Sequence, residues 1–380
     1  MIIKEVSARK ILDSRREPTI EVSVNNCKAS SPSGTSAGKY ETRSFHKSLS
    51  WNIKALNNFK SLIGLEINSF ADLNLVEDLI EQTFKLSDAK KFGANALFAL
   101  ESAILKALSK SQHKELWQVI NPGAKRMPIP LGNAVGGGLH TKNKSEPTFQ
   151  EFLLIPNKKT IRENVKIMNL VYKKIGKIIK ARSKGQEGEW QTSLHEEQIL
   201  HLLSKFKNIR VGLDIAASAF YKDNYYNYNT RKSLSRSAQI SHINSLIEKF
   251  NLFYIEDPLD EEDFKGFARV RKSSKHLVVG DDLTASHLQR IKEAIKNKSI
   301  NCVIVKPNQN GSLLEIYELV RFCKRHKIKI AMSHRAGETL DNALADYAFA
   351  FQADFIKCGI STPYREIKLK RLIEIEKSLK

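Results

Sequence analysis

Three acids and two lysines share one setting in this chain: Asp214, Glu256, Asp281, Lys306 and Lys357 each stand at the end of a short apolar run. The runs are "IRVGLD", "LFYIEDP", "LVVGDD", "CVIVKP" and "DFIKCG". Apolar runs this short, bounded by polar residues, read as buried strands. Asp257, Asp282, His334 and Arg335 occupy the ends of the same kind of run. One charged residue after a strand is an ordinary loop start. Six successive strands ending this way predict a site. Carboxylates converging from three strands repel one another unless positive charge lies among them. An all-oxygen ligand set favours a hard cation, Mg²⁺ foremost. Lys306 and Lys357 can neutralise the same acids, and the two arrangements are compatible. Glu187 in "GQEGE" (185–189) and Glu151 at the head of "EFLLIP" add further carboxyls. A buried pair of acids can share a proton, so that one serves as an acid near neutral pH.

These residues need elements that aim them at one point. From Met127 onward, eight strand candidates recur: 127–135, 151–156, 209–216, 252–258, 277–282, 302–307, 329–335 and 354–359. No helix separates the first two, which predicts a hairpin start. The last six alternate with helical patterns over 234–250, 284–297, 312–326 and 337–350. Eight strands in this rhythm predict a closed (β/α)8 barrel, whose site lies at the C-terminal ends of the strands. A doubly wound open sheet is the alternative, but no GxGxxG string follows any strand. Residues 1–122 differ in rhythm. Two β-like runs (2–12 and 19–25) and a Gly/Ser-rich loop (31–41) precede helices over 50–120, including 93–109. The expected organisation is an α+β cap (1–122) with a mobile loop at 31–41, then a barrel domain (123–380).

Composition bounds the function. The chain has 380 residues, of which 62 are Lys or Arg and 41 Asp or Glu, for a net charge of +21. Nucleic acid is one reading of that charge. The favoured one is a lysine-rich chain with solvated helix faces, because the basic residues are dispersed and carry no nucleic-acid motif. No stretch approaches the roughly 20 apolar residues of a membrane helix. "MIIKEVSARK" does not read as a secretory leader. Cys27, Cys302, Cys323 and Cys358 are scattered, as reduced thiols of a cytoplasmic protein would be.

A set of strings then resembles the enolase family: "ILDSRREPTIEV" (11–22), "PSGTSAGKYE" (32–41), "GANA" (93–96), "LDIAAS" (213–218), "YIEDPLDEED" (254–263), "GDDLTASHLQRI" (280–291), "VKPNQNGSL" (305–313) and "SHRAGET" (333–339). The resemblance spans nearly the whole chain, in order. It implies an α/β fold, with an α+β cap on an enolase-type barrel that starts ββαα. It also implies reversible dehydration of 2-phospho-D-glycerate to phosphoenolpyruvate with two Mg²⁺ ions, by a cytoplasmic homodimer. By the same similarity, Asp214, Glu256 and Asp281 look like ligands of the first ion, and Ser36 like a ligand of the second. Lys306 resembles the general base and Glu187 the acid, with Glu151 as its partner. His334 joins the catalytic set. His140, Gln150 and Glu151 look like substrate contacts, Arg335 like the phosphate ligand, and Lys357 like the lysine that steadies the carboxylate. The family supports the use of a lysine base beside Mg²⁺. Burial and the neighbouring cations, two Mg²⁺ ions and Lys357, are expected to lower the pKa of Lys306.

The chain departs from the family pattern in several places. Arg16-Glu17 replaces Gly-Asn, and the acid loop reads Gln186-Glu187-Gly188-Glu189-Trp190 in place of Asp-Glu-Gly-Gly-Phe. Ala219 stands where Glu is common. Ala336 stands where Ser is common, which leaves its backbone N–H as the available donor there.

Overall fold

The computed structural model describes residues 1–34, 39–138, 147–272 and 275–379. The cap sheet is β1 (Val6–Leu12), β2 (Pro18–Val24) and β3 (Cys27–Ser30), antiparallel in that order. The third strand was not expected. It is short, and the signal for it is the Asn25-Asn26 pair, which takes positive φ at both residues and turns the chain tightly back. Helix Ala94–Ser111 packs across this sheet. Its N-cap is Gly93, at φ 108.

The barrel strands are β4 (Ile129–Gly136), β5 (Glu151–Pro156) and β6 (Ile209–Asp214). A small outer sheet follows, β7 (Tyr221–Lys222), β8 (Tyr225–Asn227) and β9 (Ser233–Ser235). The barrel resumes with β10 (Tyr254–Glu256), β11 (Leu277–Gly280), β12 (Cys302–Val305), β13 (Lys329–Ser333) and β14 (Phe355–Lys357). All eight expected strands form, and they close into one barrel in chain order. β5 runs antiparallel to both neighbours, β4 and β6, while the other pairings are parallel. Helices Ile161–Ile178 and Glu196–Leu203 lie between β5 and β6, so the barrel starts ββαα.

Strand side chains alternate in and out with period two, and one parity fills the barrel. Leu131, Leu153, Ile155, Tyr254, Leu277, Val279, Cys302, Ile304, Ala331 and Phe355 form this inner cluster, all buried. The site residues continue the same parity towards the mouth. Lys306 follows Cys302 and Ile304, Glu256 follows Tyr254, Asp281 follows Leu277 and Val279, and Lys357 follows Phe355. Glu151 precedes Leu153 and Ile155, and its strand is reversed, so it reaches the same end.

One helix begins later than its pattern suggests. The expected 337–350 segment is helical only over Ala343–Ala350. Residues 337–341 bind the cap instead. Gly337 and Ser33 exchange backbone hydrogen bonds at 2.7 and 2.9 Å, and Ser14 N–H donates to Glu338 O at 2.8 Å. Asp341 accepts from Ser30 N–H at 3.0 Å and caps the helix through Ala343 N–H at 2.9 Å. Among the described residues, no helix is long and apolar enough to cross a membrane. Cys302, Cys323 and Cys358 are buried free thiols, and Cys27 is partly buried.

Candidate active site

Register sets the first contacts. β5 pairs Glu151 with Asp214 of β6, and β6 pairs Asp214 with Glu256 of β10. Lys357, from β14, reaches all three. Its Nζ lies 3.0 Å from Glu151 Oε2, 2.9 Å from Asp214 Oδ2 and 2.8 Å from Glu256 Oε1. Burial opposes the Lys357 charge, but these three carboxylates outweigh it and hold the ammonium well above its ordinary range. Glu256 is pushed up, first by burial and then by Asp214. It lies beneath the cavity, 0% exposed, and also accepts from Tyr254 Oη at 2.8 Å. Gln150 Nε2 reaches Asp214 Oδ2 at 3.4 Å.

Lys306 Nζ stands 2.5 Å from Asp281 Oδ2. The expected fall in its pKa is not what the protein's own groups produce. Burial does lower it, but the Asp281 carboxylate overrides burial and the ammonium is held above its ordinary range. The cation that acts most on it is Arg335. Asp281 is driven up by burial, yet Lys306 and then Lys357 bring it below the usual carboxylate range. Its Oδ1 is buried without a hydrogen-bond partner among the described residues.

Asp257, Asp281 and Asp282 place one carboxylate oxygen each within 4.8 Å of one another, a group able to hold a metal. It shares Asp281 with the expected set of Asp214, Glu256 and Asp281, whose other two members pair with Lys357. Asp257 also accepts the N–H groups of Asp281 and Asp282 at 3.1 and 2.6 Å. Its carboxyl is pushed well up by burial and then by Asp282 and Asp281. The signal for Asp257 was present as the second acid of "YIEDP".

Glu187 comes from the long connection between β5 and β6. Its Oε2 is 3.3 Å from His334 Nε2, and its Oε1 is 3.8 Å from Arg365 Nη2. Glu151 instead faces Lys357, though both acids line the same cavity of about 400 Å³ with Asp214, Asp281, Lys306 and Lys357. Burial lowers the His334 pKa. Arg365 carried no strand-end signal. It lies in the first turn of helix Pro363–Ser378, fully buried, and also donates to Ala336 O at 2.9 Å.

Arg335 pairs with Glu41 at 2.8 Å and approaches Asn308 Oδ1 at 3.4 Å. Glu41 and its neighbours tie the cap loop to the barrel. Gln309 Nε2 donates to Glu41 at 3.0 Å, and Tyr40 Oη to Glu262 at 2.5 Å. Ala336 lines the cavity, as does Ala219. Ser36 and His140 lie outside the described residues.

Sequence comparison decides the family. A family model described as "Enolase, C-terminal TIM barrel domain" matches residues 124–380, and "Enolase, N-terminal domain" matches residues 3–120. The chain belongs to the enolase family. It is 35% identical to the enolase of Methanocorpusculum labreanum, over 98% of both chains. It is 34% identical to that of Archaeoglobus fulgidus, over 99% of this chain and 97% of the relative. Identity to the Picrophilus torridus enolase is 33%, over 99% of each. Enolase family membership fits a lyase whose barrel mouth gathers acids, lysines and an arginine around one cavity.

Proposed function

We propose that the protein catalyses the reversible dehydration of 2-phospho-D-glycerate to phosphoenolpyruvate, as a cytoplasmic homodimer. What carries the reading is one cavity that holds a lysine at a strand tip, a separate buried acid, an arginine and a carboxylate cluster. In the forward direction Lys306 Nζ takes the proton from the carbon beside the substrate carboxylate. The electron pair it leaves forms the new C=C bond as the C–O bond on the next carbon breaks. Glu187 gives its proton to the departing hydroxyl, which leaves as water. Lys306 must be unprotonated to begin, so Asp281 has to take another partner first. Arg335 favours the same change by its charge. The substrate phosphate competes with Glu41 for Arg335, and Lys357 steadies the carboxylate end, with Gln150, His140 and the Ala336 N–H as further contacts. His334 holds Glu187, with Glu151 nearby in the same wall.

The residues fit divalent cations. Among the described residues, Asp281 Oδ1 is buried without a hydrogen-bond partner, inside a carboxylate cluster. Asp214, Glu256 and Asp281 are the proposed holders of the first Mg²⁺, and Ser36 of a second. When bound, the ions supply positive charge against the dianion that develops on the substrate.

The test is direct. Purified protein is incubated with 2-phosphoglycerate, with and without Mg²⁺, and phosphoenolpyruvate is followed by absorbance. Mg²⁺-dependent product is expected, with Lys306→Ala at least about 10³-fold slower. A well-folded protein that makes no product would overturn the reading, and full activity in Lys306→Ala would remove the base assignment.

A further inference from the structure

The acid loop is anchored at its far end by Trp190. The Trp190 N–H donates to Ala134 O at 2.9 Å, and its carbonyl accepts from Gly136 N–H at 3.1 Å, which extends the edge of β4. Its indole stacks on Tyr172 with centroids 4.9 Å apart and donates to the Tyr172 carbonyl at 2.9 Å. Lys184 Nζ lies beside the stacked pair, 4.6 Å from the Trp190 ring and 5.3 Å from the Tyr172 ring. Tyr172 Oη also donates to Gly188 O at 2.5 Å. Between these anchors Glu189 turns inward and is 1% exposed. Its Oε2 accepts the backbone N–H of Glu187 at 2.9 Å. The room it fills exists because residues 136 and 185 are glycines, where any Cβ would collide with the Glu189 side chain.

Burying a carboxylate is costly unless it is well hydrogen-bonded. A solvated loop residue would have no need of two matched glycines and an aromatic clamp. We propose that Glu189 is a positioning residue that fixes the backbone of Glu187, and so aims the Glu187 carboxyl at the leaving hydroxyl. This rests on Glu187 being the acid. Glu189 touches the backbone beside the reacting group, not the substrate, so it belongs to the turnover step. Substrate affinity is assigned to Arg335 and Lys357, which line the cavity, whereas Glu189 is not among its lining residues.

Three variants separate the possibilities: Glu189→Ala, which removes the acceptor, Glu189→Gln, which keeps one, and Glu187→Gln as control. Kinetics with 2-phosphoglycerate and hydrogen exchange of the 183–192 segment are measured on each. Glu189→Ala is expected to lose about 10-fold in kcat with KM within about 2-fold, the size of a small misplacement of a reacting group. Exchange at the Glu187 amide should rise at least about 10-fold, since the Glu189 carboxylate that accepts from it is gone. Glu189→Gln should recover both. Wild-type kcat and exchange in Glu189→Ala would overturn the proposal. So would a Glu189→Gln that behaves like Glu189→Ala, or losses that track only the melting temperature. Full activity in Glu187→Gln would instead remove the acid assignment, while the exchange data still decide whether Glu189 holds that backbone.

Discussion

Each ionisable side chain at the barrel mouth is defined by what it is paired with. Lys357 compensates three buried carboxylates, and removing it strands them. Breaking a buried ion pair from one side costs about 3–5 kcal/mol, because the remaining charge is left without compensation. Lys357→Met is therefore expected to lose about that much stability in urea unfolding with chelator present. Millimolar Mg²⁺ should return part of it if those carboxylates hold a cation. Unchanged stability in chelator would mean that the carboxyls already carry protons. Lys306 has a different environment, with Asp281 against it and Arg335 and Asp282 acting on it, which suits the proposed base.

At the scale of the element, the barrel strand is the aiming device. Ile304 lies directly inward of Lys306 on β12, two residues earlier and on the same face. Ile304→Ala deletes core volume beneath the lysine and should cost about 2–5 kcal/mol in chemical denaturation. Activity should fall far less than in Lys306→Ala, because the proposed base remains. A variant as inactive as Lys306→Ala yet equally stable would show that the strand floor, not its packing energy, sets the lysine. The loops obey a different rule. Residues 337–341 give up helix to bind the cap, since Ser14, Ser30 and Ser33 offer partners across the junction.

For the whole molecule, the cap–barrel junction contains an acid pair that should tie stability to pH. Glu101, in the cap helix Ala94–Ser111, is fully buried and accepts Leu313 N–H of the barrel at 2.7 Å. Burial, then Glu77, pushes its carboxyl well above the ordinary value of 4.5. Burial raises Glu77 too. Ser312, Glu315 and Asp88 face the same pair. A raised folded pKa means that the folded state holds the proton more tightly than the unfolded chain. That contribution is complete below pH 4.5 and is lost as pH rises towards the folded pKa. Glu101→Gln keeps an acceptor for Leu313 and carries no proton to lose. Its melting temperature should therefore gain on the wild type steadily from about pH 4.5 upward, with little difference at lower pH. A constant offset at all pH values would show that Glu101 does not titrate on unfolding.

The sequence by itself determined the barrel and much of its site. Eight apolar runs, the last six ending on ionisable residues, leave little freedom, because a strand that buries Cys302 and Ile304 must turn Lys306 to the same side. Asp214, Glu256, Asp281, Lys306, Glu151 and Lys357 were legible for that reason. Tertiary structure decided the partners. Nothing local to Lys357 says that it meets acids from three strands, since that follows from closure of the barrel between β14 and β4. Lys306 was expected to have a lowered pKa, and folding places Asp281 against it instead. Arg365 and Glu189 were hidden as neighbours of Glu187 because a helix turn and a loop carry no period that points inward. Their positions depend on contacts made across more than 150 residues in one case, and on two glycines that leave room in the other.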